Sequence, residues 1–301
     1  MKIIEYAGIP QPDPYVIKEG DTFYLYSTGS RGVHCYRSNR LFGGWEYIGI
    51  VLSEEGQKEF WAPSVIRHGG KFYMYYSSMS EREIDVHKEN IKVAVCDTPC
   101  GKFTFVKDLL SPFSIDAHVV ENSEGMYIFY SVNDYESEKA GTYIVVDKMQ
   151  DPFTVQGEPK AVVRPTIEEE IYEKNRFLPG QDWYTLEGAF YFRKGDVHYC
   201  IYSANSYLKS TYHLGYAYAE SESDELNKID FEKASVDSYR PLLCANGEEI
   251  STGHCCMIED SGKMYLVYHG RDADSDLSLD DRSARICELT IKNKKLLIGE
   301  R

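Results

Sequence analysis

The chain has 301 residues, of which 43% are hydrophobic and 27% charged, and its formal net charge at pH 7 is −15. These values predict a globular protein with a full core, organised as two ordinary domains or as one large all-β or α/β domain. The negative charge argues against a nucleic-acid or membrane partner, because phosphate backbones and anionic lipid surfaces attract basic faces.

The N-terminal stretch, MKIIEYAGIPQPDPYVI, contains no apolar core followed by a small-residue cleavage site. No run of about 18 apolar residues occurs, so the sequence predicts neither a secretion signal nor a membrane-spanning helix. The eight cysteines are scattered, and the short-spaced pair Cys96 and Cys100 lacks a second pair to complete a zinc site. We therefore expect free thiols and a cytoplasmic location.

In chain order, the predicted elements form five copies of one hairpin. Each copy has a short apolar strand, a Gly-bearing turn and an aromatic strand that closes on a tyrosine or the residue after one. The copies are DPYVIKEGDTFYLYS from Asp13, APSVIRHGGKFYMYYS from Ala62, AHVVENSEGMYIFYS from Ala117, GAFYFRKGDVHYCIYS from Gly188 and GHCCMIEDSGKMYLVYH from Gly253. Further strand-like pieces separate the hairpins, so each unit is predicted to have four strands. Only residues 164–177, RPTIEEEIYEKNRF, are compatible with a helix.

Five four-stranded units in series are typical of a β-propeller, in which blades stacked around an axis bury each other's faces. The predicted fold class is all-β, a five-bladed β-propeller with four antiparallel strands per blade, and residues 1–301 are predicted to form a single domain. A β-sandwich is the alternative architecture, but it does not explain five copies of the same hairpin.

The start of each repeat carries a polar or aromatic side chain, 13 to 15 residues before the closing tyrosine. These residues are Asp13, Trp61, Asp116, Glu187 and His254. Because inner strands of a propeller line one channel, the three carboxyl groups are expected to converge there and to shift each other's pKa values. Two carboxyl groups with separated pKa values supply an acid and a base, as glycoside hydrolysis requires.

These motifs resemble glycoside hydrolase family 43, from PDPYVI at the start to YHGR in the last repeat. The stretches that carry the resemblance are WAP at Trp61, IDAHV at Asp116, EG at Glu187, and GH at His254. Two departures are Ala189, where a proline is usual, and Cys255-Cys256 after His254. The resemblance implies a single catalytic domain that hydrolyses glycosides with inversion.

The resemblance also implies residue roles. Asp13 is expected to be the general base, Glu187 the general acid, and Asp116 the group that orients the acid and tunes its pKa. An arginine of the stretch DDRSARICEL is expected to reach the site, and Arg285 matches best. His254 is expected to bind substrate and, through water, a calcium ion in the channel; calcium prefers oxygen ligands. Trp61, Trp183 and Phe60 flank the acids and are expected to bind the sugar.

The expected substrate is a short, neutral, pentose-containing oligosaccharide attacked from its end, with α-L-arabinofuranosides ahead of β-D-xylosides. The insertion of residues 164–184 lies just ahead of Glu187 and is expected to close one end of the funnel. Three alternatives stay open at this point: a β-xylosidase on the same site, a glycoside phosphorylase, and a propeller that binds sugar without cleaving it. A phosphorylase would need a basic pocket, for which Arg31, Arg164 and Arg271 are the candidates.

Overall fold

All five predicted hairpins are present, and each opens an antiparallel unit in the computed structural model, which describes residues 1–4 and 8–299. The first unit comprises β1 (Tyr15–Glu19), β2 (Thr22–Ser27), β3 (Val33–Ser38) and β4 (Glu46–Leu52). The second comprises β5 (Gln57–His68), β6 (Lys71–Ser80), β7 (Asn90–Cys96) and β8 (Thr104–Asp108). The third comprises β9 (Ile115–Asn122), β10 (Gly125–Asp134), β11 (Gly141–Asp151), β12 (Thr154–Val155) and β13 (Lys160–Val163).

The short strand β14 (Ile171–Glu173) precedes the fourth unit and pairs with the first strand of that unit. The fourth unit comprises β15 (Trp183–Lys194), β16 (Val197–Ala204), β17 (His213–Glu220) and β18 (Glu232–Lys233). The fifth unit comprises β19 (Glu249–Asp260), β20 (Lys263–Asp272), β21 (Ser283–Lys292) and β22 (Lys295–Ile298). A two-residue parallel pairing of β11 with β15 joins the third and fourth units into one sheet.

The five units contact each other in a closed cycle through their first strands. β1 contacts β5, β5 contacts β9, β9 contacts β15, β15 contacts β19, and β19 contacts β1 again. This arrangement confirms the predicted all-β propeller, and it places the start of every first strand beside the common axis.

The hydrophobic core lies between neighbouring units rather than inside any one of them. One cluster joins Cys35 of the first unit to Met74 of the second, and another joins Tyr75 of the second unit to Ile128 of the third. A third cluster lies between the third and fourth units, and the largest spans the fourth, fifth and first. Each unit is therefore stabilised by burying apolar surface against its neighbours, as the repeat predicts.

The N-terminal residues lie along the last unit. The amide of Ile3 donates to the carbonyl of Ala284 at 3.0 Å, and the amide of Ile286 donates to the carbonyl of Met1 at 2.8 Å. The start of the chain thus covers the edge of β21 near the junction of the fifth and first units, where an unpaired edge would otherwise be exposed.

The helix considered for residues 164–177 is wrong. Only Glu168–Glu170 form a single 3₁₀ turn, and the chain then enters β14. The buried Glu170 carboxylate explains this, because it binds Lys233 at 2.5 Å and accepts the amide of Thr166 at 2.8 Å, which fixes a turn at this point. The other short helices are Val86–Lys88 and Leu226–Lys228, and within the described residues no helix has the length and apolarity of a membrane span.

Candidate active site

A cavity of about 360 Å³ opens at the axis, where the first strands of all five units begin. Its polar lining includes five carboxyl groups and one guanidinium: Asp13, Glu59, Asp116, Glu187, Asp280 and Arg282. Trp61 and His254 also line it, so the structure brings together all five residues that the repeat places at strand starts. None of residues 164–184 lines this cavity, and the predicted closure by that insertion is therefore wrong for the cavity itself.

In or just before each first strand, a residue with positive φ lines the active-site cavity or directly follows a residue that lines it. These residues are Asp13 at 53°, Ala62 at 45°, Asp116 at 60°, Gly188 at 62° and His254 at 46°. A left-handed residue kinks the strand and redirects the side chains around it. The positions equivalent to Asp13, Asp116 and His254 are thus Ala62 in the second unit and Gly188 in the fourth. Trp61 and Glu187, which the sequence repeat matched to those three residues, lie one residue earlier in the chain.

Asp13 is held on both carboxylate oxygens. Thr28 donates its hydroxyl to Oδ2 at 2.6 Å, and the same hydroxyl oxygen accepts the amide of Ala62 at 2.8 Å. Oδ1 lies 3.2 Å from Nδ1 of His269, 3.5 Å from Nδ1 of His254 and 3.6 Å from a guanidinium nitrogen of Arg282. The carboxylate is therefore fixed in one orientation.

The electrostatic surroundings keep Asp13 ionised. Burial alone raises its pKa, but His254, His269 and Arg282 outweigh that effect and hold the pKa well below its ordinary value. Burial also lowers the pKa of both imidazoles, that of His269 to about 4, so the two rings carry positive charge only in acidic solution. Arg282 is consequently the permanent positive charge beside Asp13.

Glu187 has the opposite electrostatic behaviour. Burial, together with the negative charge of Asp13, raises the pKa of its carboxyl to about 7, although Tyr212 and Arg282 act against the rise. Tyr212 donates its phenolic hydrogen to Oε1 of Glu187 at 2.7 Å. A carboxyl group in this state exchanges its proton near neutral pH, as a general acid must.

Asp116 lies beside Glu187 and shares its environment. Burial and then the Glu187 and Asp13 carboxylates raise the pKa of Asp116 well above its ordinary value. Its Oδ2 accepts the amide of Gly188 at 3.0 Å, which favours the ionised form. Because two adjacent buried carboxyl groups do not readily ionise together, the Asp116–Glu187 pair retains a proton at neutral pH.

Two glycines make this packing possible. A Cβ on Gly188 would lie 3.1 Å from Nδ1 of His254, in a backbone conformation that favours glycine. A Cβ on Gly253 would lie 1.9 Å from the ring of Tyr212, so a side chain there would displace the tyrosine that binds Glu187. The EG and GH stretches thus let the backbone beside the acid pack against His254, and the backbone beside His254 pack against Tyr212.

The predicted sugar-binding aromatics have different locations. Trp61 lines the cavity, and its indole nitrogen donates to Oε2 of Glu59 at 3.2 Å. Phe60 is fully buried and stacks on Tyr76 with 5.8 Å between ring centroids, so it is a packing residue. Trp183 is only 2% exposed and does not line the cavity. The predictions that Phe60 and Trp183 contact the sugar in this cavity are therefore wrong, because both rings are covered by neighbouring side chains.

Arg282, rather than Arg285, reaches the site. Arg282 makes two hydrogen bonds of 2.8 Å with the Asp280 carboxylate, and its guanidinium lies 4.5 Å from the ring centroid of Tyr207. Arg285 is buried elsewhere, 3.2 Å from Glu249 and 2.8 Å from Asp272. The prediction for Arg285 is wrong because this residue lies inside the regular strand β21 and pairs with carboxylates of the same sheet. Arg282, by contrast, immediately precedes that strand.

His254 faces the cavity, and its amide donates to Ser203 Oγ at 2.7 Å. Among residues 1–4 and 8–299, no group of three His, Cys, Asp or Glu side chains is arranged to hold a metal ion. The donor set near His254 does not fit direct calcium ligation, since the nearest carboxylate, Asp13, is already bound by Thr28, His269 and Arg282. Calcium in the channel stays a prediction.

Four functional side chains were not identified from the sequence: Thr28, Tyr212, His269 and Arg282. Two of them lie in motifs that the sequence analysis did quote, His269 in YHGR and Arg282 in DDRSARICEL. Tyr212 lies in an irregular connection between β16 and β17, where no period indicates its direction.

A carboxyl group of lowered pKa and another of raised pKa at the axis of a propeller form the acid–base pair that a glycosidase requires. Residues 9–296 match the family model described as Glycosyl hydrolases family 43. The chain therefore belongs to glycosyl hydrolase family 43, and the resemblance seen in the sequence is confirmed.

Individual relatives support the same assignment. The extracellular exo-α-(1→5)-L-arabinofuranosidase ArbA of Cellvibrio japonicus is 24% identical over 296 residues, covering 87% of this chain and 79% of that protein. α-L-Arabinofuranosidase B of Pyricularia oryzae is 23% identical over 301 residues, covering 94% of this chain but only 55% of that protein. The crystal structure of a thermostable family-43 glycoside hydrolase has a TM-score of 0.81 at 28% identity, covering 100% of this chain and 96% of that one. Because ArbA is named as extracellular, the comparisons lend no support to the cytoplasmic location, which stays a prediction.

Proposed function

We propose that this glycosidase is an inverting, exo-acting α-L-arabinofuranosidase that removes terminal pentose units from short oligosaccharides. Asp13 acts as general base, Glu187 as general acid, and Asp116 positions and tunes the acid. One observation carries the proposal: in a single cavity, the pKa of Asp13 is held well below its ordinary value while that of Glu187 is raised to about 7. Such a pair supplies base and acid at the same pH.

In the proposed reaction, the Asp13 carboxylate takes a proton from a water molecule as that water attacks the anomeric carbon. Glu187 gives its proton to the oxygen of the leaving sugar on the opposite face. Inversion requires room for the water, which corresponds to a separation of about 6.5–9.5 Å between the two carboxyl groups. Thr28 fixes the direction in which Asp13 accepts the proton, through the 2.6 Å hydrogen bond to Oδ2.

Asp116 supports the acid in two ways. Its carboxylate binds the amide of Gly188, next to Glu187 in the chain, and so fixes the backbone that carries the acid. Because Asp116 is also buried beside Glu187, the two carboxyl groups do not readily ionise together, and the pair keeps a proton that the leaving oxygen can take.

The cavity volume supports exo-attack. About 360 Å³ lies near the lower end of the usual range for ligand pockets, roughly 300–1,000 Å³, and suits a terminal sugar better than the middle of a chain. The names of the two arabinofuranosidase relatives support a pentose. A β-xylosidase on the same site is the nearest alternative, and substrate comparison separates the two.

The charge of the cavity favours hydrolysis over phosphorolysis. Five carboxyl groups line it, and the one guanidinium among the described lining residues, Arg282, is already paired with Asp13 and Asp280. A phosphate dianion would meet repulsion there, whereas an oxocarbenium-like transition state would be stabilised. Of the proposed phosphate ligands, Arg271 is buried against Asp281 and the carbonyl of Tyr207.

A screen with nitrophenyl α-L-arabinofuranoside and nitrophenyl β-D-xyloside, each with and without phosphate, tests the proposal. We expect phosphate-independent release of nitrophenol, faster from the arabinofuranoside. A phosphate requirement would indicate the phosphorylase, faster release from the xyloside would indicate the xylosidase, and binding without release would indicate a non-hydrolytic propeller.

A further inference from the structure

A second cavity of about 530 Å³ opens on the same face of the propeller as the active-site cavity, and we name it the aromatic groove. Its lining includes His87, Lys88, Phe113, Asn133, Tyr135 and Phe177. These residues lie in or beside the connections that precede β7, β9, β11 and β15. Because the first strand of each unit starts at the active-site cavity and neighbouring strands are antiparallel, all four connections lie on the face where that cavity opens.

One short segment of the chain contributes residues to both the groove and the active-site cavity. Pro112 and Phe113 line the groove, and Ile115 and Asp116 line the cavity. Even a fully extended segment from Pro112 to Asp116 spans no more than about 14 Å. An oligosaccharide with its terminal sugar beside Asp116 therefore reaches the groove with the next few units.

The groove presents aromatic rings to solvent. Tyr135 is 51% exposed and Phe177 is 50% exposed, although both are large apolar side chains. Trp183 lies beneath them, 5.1 Å from Tyr135 and 5.5 Å from Phe177 between ring centroids. Exposed aromatic rings stack on the CH-rich faces of sugar rings. Here the two exposed rings are not isolated on the surface, because both pack on the buried indole of Trp183.

The rings are held in place before any ligand binds. The Arg176 guanidinium lies 5.5 Å from the Phe177 ring centroid and 5.2 Å from that of Trp183. The loop that carries Phe177 is closed by hydrogen bonds from the Asn175 amide to Asp182 Oδ1 at 2.9 Å and from the Arg176 amide to the Gln181 carbonyl at 3.0 Å. Little conformational entropy is then lost when a ligand stacks on the ring.

The polar groups around the rings suit an uncharged ligand with many hydroxyl groups. Asn133, His87 and Lys88 provide hydrogen-bonding groups, and Asp85 balances the charge of Lys88. The groove lining has no excess of positive or negative charge that would attract a strongly charged partner. The chemistry therefore favours neutral sugars over an acidic or basic protein surface.

We propose that the aromatic groove binds the leaving-group sugars of the oligosaccharide whose terminal pentose occupies the active-site cavity. This inference rests on the proposed function, and it makes longer oligosaccharides better substrates than short ones. It also gives the insertion of residues 164–184 a role: the insertion supplies Phe177 to the binding surface and Trp183 to the packing beneath it.

The test compares the wild type with Phe177→Ala and Tyr135→Ala. Phe42→Ala is the matched control, since Phe42 is also 50% exposed and packs on Tyr265, but lies in the β3–β4 connection on the opposite face. The measured quantity is kcat/KM on nitrophenyl α-L-arabinofuranoside and on linear α-1,5-arabino-oligosaccharides of two to six units.

For the wild type, kcat/KM is expected to rise with chain length. The two groove variants should lose about five- to twentyfold on the longer oligosaccharides and less than about twofold on the nitrophenyl substrate, and the control should change neither. Equal losses on both substrates, or no length dependence in the wild type, would overturn the proposal.

Failure of the proposed function is detected separately. If no pentoside is cleaved, calorimetric titration of arabinotetraose into Glu187→Gln and into Glu187→Gln combined with Phe177→Ala still tests the groove. Weaker binding by the double variant supports the groove without the proposed reaction. Unchanged affinity, or no binding by either protein, overturns it.

Discussion

The phenol of Tyr212 donates a 2.7 Å hydrogen bond to Oε1 of Glu187, while its ring stacks on His269 at 5.7 Å between centroids and nearly parallel. His269 in turn lies 3.2 Å from Asp13. One tyrosine thus joins the acid side of the site to the base side. Since the hydrogen bond favours the ionised form of Glu187, Tyr212 limits how far burial raises the pKa of the acid.

Tyr212→Phe should therefore raise the pKa of Glu187 and move the basic limb of the kcat/KM profile to higher pH, by up to about one unit. Tyr199→Phe is the control, because it loses a comparable hydrogen bond, 3.1 Å to the carbonyl of Lys294, outside the cavity. A limb that moves to lower pH, or stays where it is, would contradict this role for Tyr212.

Glu187→Gln should lose about 10²–10⁴-fold in rate on natural oligosaccharides, because the leaving oxygen no longer receives a proton. The loss should be much smaller on dinitrophenyl glycosides, whose leaving group needs none. Glu59→Gln removes another carboxyl group of the same cavity and should affect both substrates alike. If Glu187→Gln also affects both alike, Glu187 is not the acid.

Arg282→Gln should move the acidic limb of the profile to higher pH. Its guanidinium lies 3.6 Å from Asp13 and helps to hold the pKa of that carboxyl low, so its loss lets the base protonate at a higher pH. Arg285→Gln should leave the limb in place and instead destabilise the fold, by about 3–5 kcal/mol, because it removes a charge partner of the buried Glu249. If Arg285→Gln moves the acidic limb and Arg282→Gln does not, Arg285 rather than Arg282 acts in the active site.

Glu89 offers a test of stability against pH. It is fully buried, neither carboxyl oxygen has a hydrogen-bond partner among the residues that the structure describes, and burial together with Glu59 raises its pKa from 4.5 to about 9. Between those pH values the folded state keeps a proton that the unfolded state releases, so the free energy of unfolding falls as the pH rises from about 4.5 towards 9.

Glu89→Gln should remove that pH dependence and stabilise the protein by on the order of 2–4 kcal/mol at pH 8, with little effect at pH 4.5. Glu55→Gln, an exposed change in the β4–β5 connection, should have little effect at either pH. Thermal unfolding at the two pH values decides the matter, and an equal shift at both would show that Glu89 does not titrate as described.

The sequence predicts the propeller well because the repeat is local: each hairpin has its own turn and its own alternation of apolar residues. Asp13, Asp116 and Glu187 could be found because the repeat places all of them at strand starts. Arg282 and Tyr212 could not, since both lie in irregular connections where no period relates position to direction. Trp183 illustrates a further limit. Its indole is buried by Tyr135 and Phe177, which come from two different connections, and the sequence does not indicate that these connections meet.

The most direct test of the account is the time course of products from linear α-1,5-arabinohexaose. A cavity that holds one terminal sugar, with Asp13 and Glu187 on either side of the bond to the next unit, predicts free arabinose from the first time point and stepwise shortening of the chain. Early di- and trisaccharides without free arabinose would show internal cleavage and would contradict the exo-acting account.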